Sequence, residues 1–377
     1  MNYLYNLNEE VREYFKILSP VFPEWLLEYI NTGEMQRIGT INLSCGTCYS
    51  KMFPNKYWYS NLDHSVGVAL IVWHFTHDKK QTLAGLFHDI ATPCFKHCID
   101  FLNGDSETQE STEELTETII ANSKDIMALL NRDGIDIKEV SDYHIYPIAD
   151  NDTPRLSADR FEYTFSCGLV QKRIWELDTI KEMYENVSIM KNEDGIDELA
   201  FNDSKICEKY IHTISKIWPT WVFDADRAVM QFIADIIKSM NVKGYLSIND
   251  LYTLSEADVL NKIRTCPDEY IRESFEKFEE ATSVYGSDTF VENKYCVSVK
   301  SKKRYIVPLT KCDNGTLCRI DKVSPLAKKD IEDFLNMNYS KYIGFDFDFK
   351  PYEKMEKCLR RCNNETRNWC WSNDFKW

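Results

Sequence analysis

Along the first 240 residues, apolar side chains recur every three or four positions, the period of helices that turn one face to a core. Leu62, Val66, Ala69, Leu70 and Trp73 make one such stripe, and residues 82–91 carry the next through Leu83, Leu86, Phe87 and Ile90. A third, acidic helix is expected over residues 107–122, with Leu115, Ile119 and Ile120 on its apolar side. A strand, a turn at Asn192-Glu193-Asp194-Gly195 and a second strand interrupt the pattern around residues 189–201. A long helix over residues 225–240 then closes the region at Asn241-Val242-Lys243-Gly244. Beyond that break the period changes. LSEADVLNKIR and EYIRESFEKFEEAT read as short helices, YCVSVKSKKRYIVPL and GTLCRIDKVS alternate like strands, and AKKDIEDFLNMNYSKYIGF returns to helix and then strand. The pattern predicts a mainly α protein: a helical bundle over residues 1–240 and a smaller α+β region over 241–377. The aromatic tail, ending NWCWSNDFKW, is expected to pack back onto the body.

Composition supports that picture and narrows the chemistry. With 377 residues, 44% hydrophobic and 13% aromatic, the chain can bury a proper core and has length for two domains. A formal charge of −15 disfavours nucleic acid as a partner, since tracking phosphates needs clustered Lys and Arg. Glu9 and Glu10 stand where a signal peptide needs a basic start. The apolar run over 66–75 covers about half of the roughly 20 residues that span a bilayer, so a soluble, cytoplasmic protein is expected. Thirteen scattered cysteines read as reduced thiols. Cys45 and Cys48 have zinc-knuckle spacing, which Cys312 with Cys318, or Cys358 with Cys362, would have to complete. One basic stretch runs against the acidic whole: Lys300, Lys302 and Arg304 alternate onto one side of an expected strand, either as an edge-protecting face or as an anion contact.

The chemistry concentrates in LAGLFHDIATPCFKH, where His88 and Asp89 follow one another beside a core-facing stripe. A charge there needs a partner. His64, at the amino end of its helix in NLDHSVG, and Asp159, in the first turn of another helix in LSADR, are the candidates to complete a set of two imidazoles and two carboxylates. Such a set suits Mn²⁺, Fe²⁺, Co²⁺, Ni²⁺ or Zn²⁺ better than Ca²⁺. Adjacent helical residues point about 100° apart, so both His88 and Asp89 can ligate only where the helix is irregular or ends, and Pro93 is consistent with an end nearby.

The order of a histidine, a His-Asp pair and a distant aspartate resembles the signature of HD-domain metal-dependent phosphohydrolases. LDHSVGVA, LFHDIATPCFKHCID and LSADRFEY are similar to segments of deoxynucleoside triphosphate triphosphohydrolases, as are VSVKSKKRYIVPL and SPLAKKDIEDFL further on. The resemblance covers roughly residues 25 to 345 and implies an HD-domain helical bundle with His64, His88, Asp89 and Asp159 as metal ligands. It implies His97 as general acid, oriented by Asp100, and Arg37, Arg160 and Tyr163 against the nucleotide. Lys302 and Arg304 would add positive charge for phosphate, with Mg²⁺ possible at the substrate phosphates. It further implies a nucleotide or another phosphorylated small molecule as substrate and at least a dimer, for which the basic stretch at Lys300 to Arg304 is the candidate bridging site. Two positions depart from the family: Thr92 stands where a third histidine is usual, and Gln109-Glu110 where a His-Glu pair helps catalysis. Neither Thr nor Gln titrates near neutral pH, so the metal set is complete while the acid-base set around it is thinned. That leaves room for slow turnover, another phosphate ester or binding alone. His144, Asp150 and Asp152 are further candidates for the pocket, whereas His74, His77 and His212 read as surface or packing residues.

Overall fold

The helix Asn61–Thr76 organises the first part of the chain. Ser60 caps it in a reciprocal capping box with Asp63, and from Asn61 to Val72 it is buried on every side, not along one stripe as its sequence suggested. The reason is that four other helices enclose it: Glu9–Leu18, Gly33–Ile38, Lys79–Phe87 and Ala158–Ser166. An apolar sequence on all faces is what such a central position requires. This computed structural model describes residues 3–109 and 115–352; the aromatic end of the chain, Cys358, Cys362 and Glu110 lie outside them.

Two of the expected helices are shorter than the pattern indicated. The helix capped by Asp78 ends at Phe87, and residues 88–91 are turns, with the Ile90 N–H on Phe87 O and the Thr92 N–H on Asp89 O, both at 3.0 Å. The acidic helix begins at Thr116, and residues 107–109 precede it without helical structure. Ile119 and Ile120 are buried as expected. The long helix Asp224–Val242 and the shorter Glu256–Arg264, Glu269–Glu280 and Pro325–Leu335 follow their sequence patterns.

The strands form two small sheets. In one, β1 (Val187–Lys191) and β2 (Asp197–Phe201) make an antiparallel hairpin. β2 then pairs in parallel with β5 (Leu309–Lys311), which turns back into β6 (Leu317–Arg319). In the other, β7 (Tyr342–Phe345) lies between β3 (Tyr285–Ser287) and β4 (Tyr295–Val297). β4 ends at Val297 and β5 starts at Leu309, so residues 298–308 carry no ladder and the expected sheet face of Lys300, Lys302 and Arg304 does not form. Other partners hold this segment: the Ser301 hydroxyl, which accepts from Gln109, and the Val307 N–H, which donates to Pro154 O at 2.7 Å. The thiols of Cys312 and Cys318, flanking the β5–β6 turn, hydrogen-bond to each other. Among the described residues no cysteine belongs to a cluster able to hold a metal.

Burial sorts into two apolar clusters. One holds most of the helices before residue 223 together with Ile306, Val307 and Ile320 to Phe334; the other joins Cys94 to Phe101 with the helix Asp224–Val242 and the residues after it. Each draws on both sides of residue 240, and the turn from His88 to Lys96 crosses from one to the other. Among the described residues, no helix is long and apolar enough to cross a membrane.

Glu256, buried at the start of its helix, pins that crossing from the far side. It accepts from Tyr49 Oη at 2.5 Å, the Phe95 N–H at 2.9 Å and the Asn42 N–H at 3.3 Å. Burial pushes its carboxyl up to about 7, against the lowering effect of these donors. A raised acid binds its proton more tightly folded than unfolded, so this contribution to stability is fully present below the ordinary value near 4.5 and is lost as pH rises through about 7. Relative to Glu256→Gln, the wild-type unfolding free energy in urea should therefore fall by roughly 3 kcal/mol over that window; a constant difference would refute the assignment.

Candidate metal centre

Three segments converge on one point. His64 lies in the first turn of Asn61–Thr76, His88 and Asp89 follow the end of Lys79–Phe87, and Asp159 is the second residue of Ala158–Ser166, whose cap is Ser157. The irregularity that lets adjacent residues face one point is supplied by the helix ending at Phe87. His64 Nε2 and His88 Nε2 stand 3.2 Å apart. Asp89 Oδ2 is 3.6 Å from His88 Nε2 and 3.9 Å from His64 Nε2, and Asp159 Oδ1 is 3.7 Å and 3.1 Å from the same atoms. His64, His88 and Asp89 form a group able to hold a metal ion, and Asp159 adds a fourth donor beside it.

The far sides of the two rings fix what their near sides offer. His64 Nδ1 hydrogen-bonds to Glu162 Oε2, and His88 Nδ1 to Gly85 O at 2.8 Å. Both partners are acceptors, so each Nδ1 carries a hydrogen; in the neutral rings each Nε2 then presents a lone pair. Two lone pairs and two carboxylate oxygens face one another in a buried space, an arrangement satisfied only by a positive charge among them. Without a metal that charge is a proton. Burial alone would lower the His64 imidazolium, but Glu162 and Asp159 outweigh it and push it up to about 10. Burial likewise raises Asp89, while Lys96, His88 and His64 hold it well below the usual carboxylate range. A divalent cation replaces the proton on chemically matched donors.

Glu162 escaped the sequence reading. It is fully buried, and its carboxylate is shared by His64, Tyr59 Oη at 2.6 Å, Tyr14 Oη at 3.3 Å and Ser166 Oγ at 3.1 Å. Its signal was spacing: Glu162 follows Asp159 by one helical turn, and Gly67 follows His64 by one turn. A Cβ on Gly67 would stand 2.7 Å from Glu162 Cγ, so the glycine is what admits the carboxylate to the imidazole. Lys96 escaped as well: its Nζ donates to Asp89 Oδ2 at 3.0 Å and to Asn61 Oδ1.

The cluster lies in the wall of a cavity of about 770 Å³. His97, Arg160, Tyr163, Lys302 and Arg304 line it, as do His144, Asp150 and Asp152. Arg37 does not: its guanidinium donates to Ile90 O at 2.9 Å and Thr92 O at 2.8 Å, bracing the turn that carries His88 and Asp89. Arg160 is spent largely on its own loop, pairing with Asp150 Oδ1 at 3.0 Å and donating to Asn151 Oδ1 at 2.9 Å. His97 Nδ1 is 2.9 Å from Asp100 Oδ2, as expected, but Arg304 Nη2 donates to His97 Nε2 at 3.2 Å and to Gln109 Oε1 at 2.7 Å. Burial lowers the His97 imidazolium, Asp100 works against that and Arg304 adds to it. In this state His97 is thus a neutral acceptor, not an acid holding a proton to give. Tyr163 packs edge-on against Trp221 at 5.4 Å. Away from the cavity, His212 pairs with Asp330 at 2.8 Å and His74 packs on Tyr184.

A search for matching family models found none. The chain is 26% identical over 141 residues to the uncharacterized protein YdhJ of Bacillus subtilis, covering 37% of this chain and 42% of that one. It is 20% identical over 282 residues to the metal-dependent phosphohydrolase cns2 of Cordyceps militaris, covering 73% of this chain and 78% of the relative. Among solved structures, a phosphohydrolase from Bacteroides thetaiotaomicron matches with a TM-score of 0.58 at 12% identity, over 84% of this chain and 94% of that one. A hypothetical protein from Aquifex aeolicus matches with a TM-score of 0.54 at 15% identity, over 86% and 91%. The structural likenesses give the fold: a helical bundle with a smaller α+β part. With the distant sequence similarity to a metal-dependent phosphohydrolase, they support an HD-like superfamily.

Two outcomes follow for the metal. Calorimetric titration of metal-free protein with Mn²⁺ near pH 7, in buffers of different ionisation enthalpy, should show release of about one proton per ion, since His64 gives up its proton; release of none would overturn the protonated state given above for His64 in the metal-free protein. Glu162→Gln should weaken Mn²⁺ binding by about 10- to 100-fold without unfolding the protein, and unchanged affinity would make Glu162 a core hydrogen-bonding group only.

Proposed function

We propose that the protein is a metal-dependent phosphohydrolase acting on a phosphorylated small molecule of nucleotide size, with His64, His88, Asp89 and Asp159 as ligands. The observation that carries this reading is the pair of opposed imidazole nitrogens, flanked by two carboxylates, in the wall of a cavity lined by Lys and Arg side chains. A volume of about 770 Å³ falls in the range of pockets for small organic ligands. When bound, the divalent ion supplies an activated water and a polarised phosphoryl oxygen. The chain's part is to hold the anion. Arg304, set between Gln109 and His97, is placed to meet a phosphate oxygen, and a phosphate that draws Arg304 away frees His97 Nε2 to take and return a proton.

The resemblance adds a finer form: a deoxynucleoside triphosphate cleaved to nucleoside and triphosphate, by an assembly of at least two chains. A second form, cleavage of a phosphomonoester or a signalling nucleotide, is favoured by two placements. Arg37 lies behind the ligand turn and Arg160 is engaged by its own loop, so two cations that would balance a triphosphate are committed elsewhere. Thr92 adds no proton carrier.

A panel of nucleotides and sugar phosphates, incubated with Mn²⁺-loaded protein, tests the function. Expected is release of a phosphate product that Asp89→Ala lowers by at least about a hundredfold, a larger loss than outer-shell changes produce. Inorganic triphosphate as product selects the first form, and orthophosphate or pyrophosphate the second. Equal release by wild type and Asp89→Ala on every compound would sink the proposal.

A further inference from the structure

Lys96 is a charged side chain at the centre that the four-ligand pattern does not account for. It is only 7% exposed, yet it lines the cavity. Phe95 and Lys96 both adopt positive φ, 65° and 47°, a conformation that costs a non-glycine residue and persists only when its surroundings impose it. Here the imposing groups are Glu256, holding the Phe95 N–H, and Leu251 O, holding the Cys94 N–H at 2.9 Å. They aim Lys96 at the metal centre. Its Nζ donates to Asp89 Oδ2, the oxygen that faces both imidazoles, and to Asn61 Oδ1, while Asn61 Nδ2 donates to Asp89 O at 3.4 Å.

An ammonium has three N–H donors, and these contacts use two. Burying a lysine merely to steady a carboxylate is costly, because a neutral donor would do the same with less desolvation. Charge accounting gives the lysine a use. Two neutral imidazoles, two carboxylates and a divalent ion sum to zero, so the ligand set alone offers an incoming anion no net attraction. Lys96 offsets the Glu162 carboxylate on the far side of His64 and puts its own positive charge on the cavity side.

We propose that Lys96 is a catalytic residue that donates its remaining N–H to a non-bridging oxygen of the phosphoryl group beside the metal, neutralising the charge that builds there during attack. The inference rests on the phosphohydrolase reading for the nature of its ligand.

The test uses full-length wild type, Lys96→Met and Lys96→Arg, each loaded with Mn²⁺, with bound metal measured by mass spectrometry and inorganic phosphate binding by calorimetry. Expected are unchanged metal content, phosphate affinity at least about tenfold weaker in Lys96→Met, and a smaller loss in Lys96→Arg, which keeps the charge. Wild-type phosphate affinity in Lys96→Met would overturn the proposal, as would loss of metal from both variants, which would make Lys96 a prop for Asp89. The binding readout separates this inference from the function itself. Wild type that binds phosphate through Lys96 but hydrolyses no compound would sink the phosphohydrolase reading and leave this one standing; turnover and phosphate binding both undiminished in Lys96→Met would do the reverse.

Discussion

Two imidazole nitrogens 3.2 Å apart, each turned inward because its ring partner accepts a hydrogen bond on the other side, set the terms for everything around them. Lone pairs at that distance repel, and the nearby carboxylate oxygens add to the repulsion. Folding holds such a group together only if a positive charge is included. That condition links packing to chemistry: the bundle is built so that its interior is incomplete without a proton or a cation at one point.

Meeting the condition costs the core a good deal of polarity. Glu162 is buried at no exposure and would be intolerable alone; it is made tolerable by Tyr14, Tyr59, Ser166 and the His64 ring. Gly67 gives up a side chain so that the carboxylate can come this close. Arg37 holds the carbonyls of the turn after Phe87, and Glu256 holds the backbone of the loop that follows, so the segment that carries His88 and Asp89 is clamped from both sides. The residues that brace the centre thus come from distant stretches of the chain and mostly make no approach to a substrate.

This explains what was legible in the sequence. Helices with strong periodicity, such as Asp224–Val242, were plain, because period reports which side chains face a core. The meeting of His64, His88, Asp89 and Asp159 was legible through motif order, and the break at Phe87 through Pro93. Helix ends and sheet membership were not: residues 298–308 alternate like a strand, but no neighbour offers them a ladder, and strand structure exists only in pairs. Which groups hold the Arg37 and Arg160 guanidinium groups was not legible, for a related reason. A basic residue near a ligand motif reads as a phosphate contact, whereas whether it is spent on backbone carbonyls or on an aspartate is decided by loops whose course the pattern does not encode. Glu162 and Lys96 carried only spacing as a signal, one turn from Asp159 and one residue before His97.

One of the two departures from the pattern the sequence resembles, Gln109, also takes on a physical meaning. Gln109 sits at positive φ, buried, with its amide nitrogen on Ser301 and its carbonyl on Arg304. An imidazole there would repel the guanidinium whenever it carried a proton, whereas an amide oxygen accepts from it without changing charge. Arg304 in turn donates to His97 Nε2 and adds to the burial that lowers that imidazolium. Two cations therefore line the cavity at this centre, Lys96 on Asp89 and Arg304 on Gln109. On the phosphohydrolase reading proposed above, an anion that displaced the Arg304 guanidinium would free His97 Nε2 for proton transfer, which would tie that transfer to occupancy of the cavity.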